Sequence, residues 1–181
     1  CGYSSSGIVE KVGKNVTTLF PGDRVAVTGA YHSQYVVKNE KSIIKINNDI
    51  SFEEAALWYI GTFPMAAVRK CSLEIGESAV VMGMGVLGMI AVMLLKNAGA
   101  VPVIAVDPVE DKRKKAIEIG ADYALDPFAD DFAQRVIELT GFGTNVAIEV
   151  TGNGKALDQV LDCMARYGRV ALLGCTRNSD F

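Results

Sequence analysis

Ala79-Val80-Val81-Met82 is a short apolar, strand-like run that leads directly into Gly83-Met84-Gly85-Val86-Leu87-Gly88, and a helix-like apolar stretch from Met89 to Ala98 follows. Strand, tight glycine turn, then helix is the order in which a Gly-x-Gly-x-x-Gly pattern has a physical meaning. Gly83 permits the sharp turn at the strand end. Gly85 has no Cβ, so a pyrophosphate can come close to the backbone. Gly88 lets the new helix pack tightly on the strand. The first N–H groups of that helix have no partners within it, and its dipole is positive there, which favours a phosphate.

The glycines come with an acidic partner. Val103-Ile104-Ala105-Val106 reads as a second buried strand ended by Asp107, at the spacing of about 20 residues such a site uses. A carboxylate there accepts hydrogen bonds from both hydroxyls of an adenosine ribose and repels a 2′-phosphate, so NAD is expected rather than NADP. The competing reading is a glycine-rich turn in some other α/β protein, with Asp107 capping the next helix.

The 181 residues suffice for one good domain, or for one domain and a piece of another. The formal charge is −3 and no basic run exists, which argues against nucleic acid or an anionic membrane as partner. The longest apolar stretch, Val86 to Leu95, is far too short to span a bilayer. No secretory signal is visible. Cys1, Cys71, Cys163 and Cys175 form no Cys-x-x-Cys pair, so a zinc knuckle is not expected and the thiols read as reduced and cytoplasmic. The chain opens on Cys1, inside a strand-like pattern, and is expected to be a segment of a longer protein.

In chain order, Gly7 to Gly13 alternates like a strand and Phe20-Pro21-Gly22-Asp23 is turn chemistry. Arg24 to Val27, Ser33 to Val37 and Ser42 to Ile46 read as further short strands, the pattern of a small β-barrel or part of one. Ser51-Phe52-Glu53-Glu54 has the form of a capping box. The patterning changes near residue 56, which divides the chain into a barrel-like part, 1–56, and an α/β part, 57–181. A helix is expected from Thr62 to Lys70. Strands at 79–82, 102–106, 123–125, 145–150 and 169–173 then alternate with helices at 86–98, 110–119, 130–140 and 155–165. This order implies a parallel, doubly wound sheet with right-handed crossovers. A sixth strand is expected beyond Phe181.

Laid out in this way, the chain resembles the medium-chain dehydrogenase/reductase superfamily of alcohol dehydrogenase-like enzymes. The resemblance runs through Gly7-Ile8-Val9-Glu10, Val12-Gly13, Pro21-Gly22-Asp23-Arg24-Val25, the glycine turn, Asp107, Gly120-Ala121-Asp122, Glu149-Val150-Thr151-Gly152, Gly168-Arg169-Val170 and Leu173-Gly174. It implies an α/β Rossmann domain that binds the coenzyme, with part of a GroES-like β-barrel before it and the chemistry in the cleft between them.

Many members of that superfamily hold a catalytic zinc through a Cys, a Gly-His-Glu histidine and a later Cys or Glu. The segment that resembles Gly-His-Glu reads Gly2-Tyr3-Ser4 here, and the later ligand position falls on about Trp58. Neither side chain suits zinc. The lobe with four structural-zinc cysteines is missing, because Val27 runs almost directly into Gly29-Ala30-Tyr31-His32. The sole histidine, His32, reads as a surface turn residue. The resemblance is therefore to a zinc-lacking branch, in which the dehydrogenase part is sometimes fused to a second oxidoreductase domain, and no zinc is expected.

Gly83, Gly85, Val86, Leu87 and Gly88 are expected to cradle the pyrophosphate and Asp107 to hold the ribose. Lys112 lies along the adenosine or reaches a phosphate, unless it is only a solvated charge in the run Glu110 to Lys115. By resemblance, Thr151 and Gly152 sit on the adenosine side, with Gly174 and Cys175 nearer the nicotinamide. Thr62 packs on the nicotinamide or caps a helix. Tyr3 is the candidate proton donor, or else an aromatic lining the cleft, and Trp58 shapes the substrate pocket. No cation near Cys175 is evident to activate its thiol.

The function implied is hydride transfer between NAD(H) and a small alcohol or carbonyl substrate without catalytic zinc, by a dimer or tetramer. Three alternatives stand beside it: a dinucleotide-binding module with no reaction of its own, a zinc-free quinone or enone reductase, and a zinc enzyme whose ligands lie outside this segment.

Overall fold

The structure, a computed structural model, describes residues 3–30 and 32–175. Cys1, Gly2, Tyr31 and the expectations that fall on them lie outside the described residues, as does the stretch after Cys175. The chain divides into two compact units, Cys1–Thr62 and Phe63–Phe181.

In the first unit, β1 (Ser4–Ile8), β2 (Arg24–Thr28) and β3 (Ile43–Lys45) form an antiparallel sheet in that order. Leu19, Val25, Val27 and Ala30 make its small core. The strand expected over 7–13 begins earlier and ends at Ile8. No strand forms over 33–37, although the run reads as a short strand. Tyr35, Val36 and Val37 are all exposed, Val37 98 %, so the run has no face to bury.

The capping box forms as written. The Ser51 hydroxyl accepts the Glu54 N–H at 3.1 Å and the Glu54 carboxylate accepts the Ser51 N–H at 2.9 Å, which starts α1 (Phe52–Ala56). α2 (Trp58–Lys70) begins four residues before the expected Thr62.

The second unit contains β4 (Ala79–Met82), α3 (Val86–Asn97), β5 (Val103–Val106), α4 (Glu110–Glu118), β6 (Tyr123–Leu125), α5 (Phe132–Thr140), β7 (Thr144–Glu149), α6 (Gly154–Leu161) and β8 (Met164–Leu172). The strands are all parallel in the order β6-β5-β4-β7-β8. β4 and β5 are buried at every residue, as strands covered on both faces must be. Their side chains alternate between two cores. Ala79 and Val81 share one with Ala91, Val92 and Leu95 of α3. Val80 and Met82 share the other with Phe132, Val136 and Val160 of α5 and α6.

The helix expected over 155–165 stops at Leu161, and β8 starts at Met164 rather than 169. Thr144 pairs with Met164 across an irregularity in the ladder, and the Thr144 N–H donates to the Cys163 carbonyl at 2.9 Å. Pairing with β7 therefore captures apolar residues that carry helical spacing in the sequence. β5 and β7 flank β4 on opposite sides, so the sheet order reverses beside β4. In open α/β sheets ligands bind at such a point, outside the carboxyl ends of the strands.

Candidate functional site

The carboxyl end of β4 is built from the glycines. Gly83 leaves the strand at φ +102, a conformation side chains rarely adopt, and a Cβ there would come 2.8 Å from Thr151 Cγ2. A Cβ on Gly88 would overlap the Gly83 carbonyl oxygen, so α3 sits on the turn only because residue 88 has no side chain. Gly85 differs. Its φ of −82° suits any residue and a Cβ there would meet nothing within 4 Å. The space over Gly85 is open, and it lies at the start of α3. Gly85 is the N-cap and supplies no side-chain bond, and the first intrahelical bond runs from Met89 N to Gly85 O at 2.9 Å. The N–H groups of Val86, Leu87 and Gly88 thus have no partner within the helix.

Asp107 is 4 % exposed. Its Oδ2 accepts the Met84 N–H at 2.8 Å and its Oδ1 the Val109 N–H at 2.9 Å. The N-cap of α4 is Val109, so the reading of Asp107 as that helix's cap is not what the structure shows. Lys112 lies 3.4 Å from Asp107 Oδ2, so it is neither a purely solvated charge nor committed to solvent alone. Arg113 donates to the Asp107 carbonyl at 2.7 Å and to Asp126 at 3.2 Å.

On the other side of β4, Glu149 ends β7 with 2 % exposure. It accepts the Thr151 N–H at 2.6 Å, the Thr151 hydroxyl, and the Gly152 N–H at 3.1 Å. Gly152 has φ +68, and a Cβ there would come 2.7 Å from the Cys175 carbonyl oxygen. A Cβ on Gly174 would overlap the Gly152 nitrogen. The ends of β7 and β8 therefore close on each other through two glycines. Cys175 is exposed.

The second unit thus gathers Gly83, Gly85, Val86, Leu87, Gly88, Asp107, Lys112, Thr151, Gly152, Gly174 and Cys175 at the carboxyl edge of its sheet. Sequence reasoning passed over Glu149 as a site residue. The available signal was an acid ending the run Val146-Ala147-Ile148 just before Thr151-Gly152. Tyr3 and Thr62 belong to the first unit. Tyr3 is 63 % exposed and its carbonyl accepts the Gly29 N–H at 2.9 Å. Thr62 lies inside α2 and donates to the Tyr59 carbonyl at 2.6 Å, so it caps no helix. The Trp58 indole N–H is buried without a hydrogen-bond partner.

Among the described residues no three His, Cys, Asp or Glu side chains come together in a way that could hold a metal ion. His32 is exposed in a bend. Cys71 and Cys163 are buried, and burial pushes both thiols up, Cys163 to about 11. Among the described residues no helix is long and apolar enough to cross a membrane.

Residues 86–181 match the zinc-binding dehydrogenase family. The chain is 31 % identical over 198 residues to (R,R)-butanediol dehydrogenase of Bacillus subtilis, covering 95 % of this chain and 57 % of that protein. It is 41 % identical over 207 residues to L-threonine 3-dehydrogenase of Pyrococcus furiosus, covering 96 % and 58 %. The crystal structure of 2R,3R-butanediol dehydrogenase from Bacillus subtilis superposes with a TM-score of 0.79 at 30 % identity, covering 91 % of this chain and 55 % of that one. The chain spans little more than half the length of these relatives.

Proposed function

The chain belongs to the zinc-binding dehydrogenase family, within the medium-chain dehydrogenase/reductase superfamily, and from that premise we propose that it carries the coenzyme-binding part of an oxidoreductase acting on a small alcohol or carbonyl compound. The observation that carries the proposal is the open space over Gly85 at the start of α3, on a turn whose Met84 N–H is held by Asp107 and whose Gly83 lies against Thr151. A dinucleotide fits this edge. The N–H groups of Val86, Leu87 and Gly88 would hold its pyrophosphate, and Asp107 would take the adenosine ribose. Gly152, Gly174 and Cys175 would line the rest of the edge. When bound, the coenzyme supplies the hydride chemistry.

NAD(H) is favoured over NADP(H) because a buried carboxylate at residue 107 would face a 2′-phosphate. Lys112, at 3.4 Å from that carboxylate, would lie along the adenosine or reach a phosphate. The division into a GroES-like part over 1–56 and a dinucleotide-binding part over 57–181, and assembly as a dimer or tetramer in the cytoplasm, belong to the same proposal.

The reaction is proposed to proceed without catalytic zinc, because by resemblance the superfamily's metal-ligand positions fall on Tyr3 and on about Trp58, neither of which suits zinc. A hydrogen-bond donor must then stabilise the developing oxyanion, and Tyr3 is the candidate. Thr62 is the candidate to pack on the nicotinamide. Substrate-dependent NADH oxidation by the intact protein, over a panel of aldehydes, ketones and quinones, tests the enzyme reading. Coenzyme binding without turnover across the panel would leave a binding module instead. Metal analysis of the same sample tests the zinc reading, and stoichiometric zinc that survives dialysis would overturn it.

A further inference from the structure

Glu149 is a charged side chain placed where an apolar one would be expected. Val146, Ala147 and Ile148 before it are fully buried, and in the β4–β7 ladder it stands opposite Met82, the residue just before Gly83. Burying a carboxylate is costly unless hydrogen bonds satisfy it. Here the donors are two backbone N–H groups and one hydroxyl, all from Thr151 and Gly152.

This arrangement has a directional consequence. With the Thr151 hydroxyl turned to Glu149, its methyl group points to the glycine turn. Thr151 Cγ2 and the Thr151 nitrogen lie 2.8 and 3.6 Å from where a Gly83 Cβ would be. The turn is thus fixed from two sides. Asp107 takes the Met84 N–H on one side, and Thr151, aimed by Glu149, packs on Gly83 on the other.

We propose that Glu149 is a positioning residue for the coenzyme pyrophosphate, acting through Thr151 on the Gly83–Gly85 turn. The proposal rests on the coenzyme reading given above. Glu149 itself touches no ligand; it sets where the turn and the first N–H groups of α3 stand.

The test measures Kd for NAD⁺ and for ADP-ribose on the intact protein, with thermal unfolding of the ligand-free protein alongside. Glu149→Gln keeps the size and replaces one acceptor with a donor facing N–H groups. With Thr151 no longer aimed at Gly83 the turn shifts, and Kd is expected to rise about tenfold for both ligands. Thr151→Ser keeps every bond to Glu149 and removes only the methyl on Gly83, so it should raise Kd in the same direction by less. Because the two act through one contact, the double variant should lose no more than Glu149→Gln alone.

A folded Glu149→Gln protein with Kd within twofold of wild type and only a lower Tm would make Glu149 a structural residue and overturn the proposal. Additive losses, or a loss confined to NAD⁺, would overturn the route through the pyrophosphate turn. If Glu149→Gln does not fold, an unchanged Kd in Thr151→Ser overturns the proposal alone. Wild-type protein that binds neither ligand would remove the coenzyme reading itself, a result separate from all of these.

Discussion

The Asp107 carboxylate accepts the backbone N–H of Met84 at 2.8 Å, so the residue that ends β5 holds the turn that ends β4. The second oxygen holds Val109 at the start of α4. One buried side chain therefore fixes two loops at the sheet edge while remaining the acidic group a ribose would meet. Asp107→Asn leaves one oxygen for two N–H donors and sets an amide against the other. Folding should survive with a lowered Tm. Affinity for NAD⁺ should fall about tenfold or more, and the preference for NAD⁺ over NADP⁺ should narrow. Calorimetric titration with both coenzymes checks this, and an unchanged preference would contradict the ribose role.

The glycines make separable predictions. A methyl at Gly85 meets no protein atom, whereas one at Gly88 overlaps the Gly83 carbonyl oxygen. Gly85→Ala should keep the wild-type Tm and lose coenzyme affinity. Gly88→Ala should lose about 1–3 kcal/mol or more of stability, the scale of overpacking a filled site. Denaturant unfolding and coenzyme titration of the two variants distinguish these losses. Equal Tm loss in both would mean that the space over Gly85 is not open.

How much of this was legible without coordinates differs from place to place. β4, the glycine turn and β5 were readable because short, wholly apolar runs between glycines have few other solutions. Residues 33–37 were not, since Tyr35, Val36 and Val37 read as strand formers but all stay exposed, and composition says nothing about whether a partner strand or a face to bury is available. The α6–β8 boundary misled because Met164 and Ala165 fit a helical face until Thr144 pairs with Met164. Glu149 was hidden for a similar reason. Its local signal was only an acid two residues before Thr151, and that Thr151 lies beside Gly83 is a fact of the fold that the sequence near residue 149 does not contain.

Acid should weaken a clamp far from the glycine turn. Arg169 donates to Glu77 at 2.8 Å and also reaches the Cys71 and Ser72 carbonyls, at 2.9 and 3.1 Å, tying the segment before β4 to β8. Hydrogen bonding to Arg169 holds the Glu77 carboxyl below the usual glutamate range, and Arg169 is raised by the same partner. With the folded-state value depressed, the contribution is complete above the unfolded value of about 4.3 and is lost as pH falls through the folded value. Glu77→Gln should therefore lower Tm at pH 7 while showing less further loss than wild type below about pH 4.3. Parallel acid limbs for the two proteins would contradict this.

Thiol chemistry should follow burial. Cys163 is pushed up to about 11 and Cys71 is raised, in both cases chiefly by burial. At pH 8 neither is ionised appreciably or accessible, so iodoacetamide should modify them only after unfolding. Cys175 is exposed and should be modified in the native protein, more slowly when NAD⁺ is bound. Mass spectrometry of the alkylated peptides gives each rate, and rapid native labelling of Cys163 would contradict the packing described.

Thermal unfolding of the intact protein with NAD⁺, and separately with NADP⁺, bears most directly on the account. A ligand that binds only the folded state adds about 2.7 kcal/mol of stability at a hundred times its Kd, which is readily seen as a rise in Tm. The account predicts a rise with NAD⁺ and little or none with NADP⁺ at the same concentration. A folded sample whose Tm moves with neither coenzyme would mean that the turn from Gly83 to Gly88 is structural only, and the oxidoreductase reading would fall.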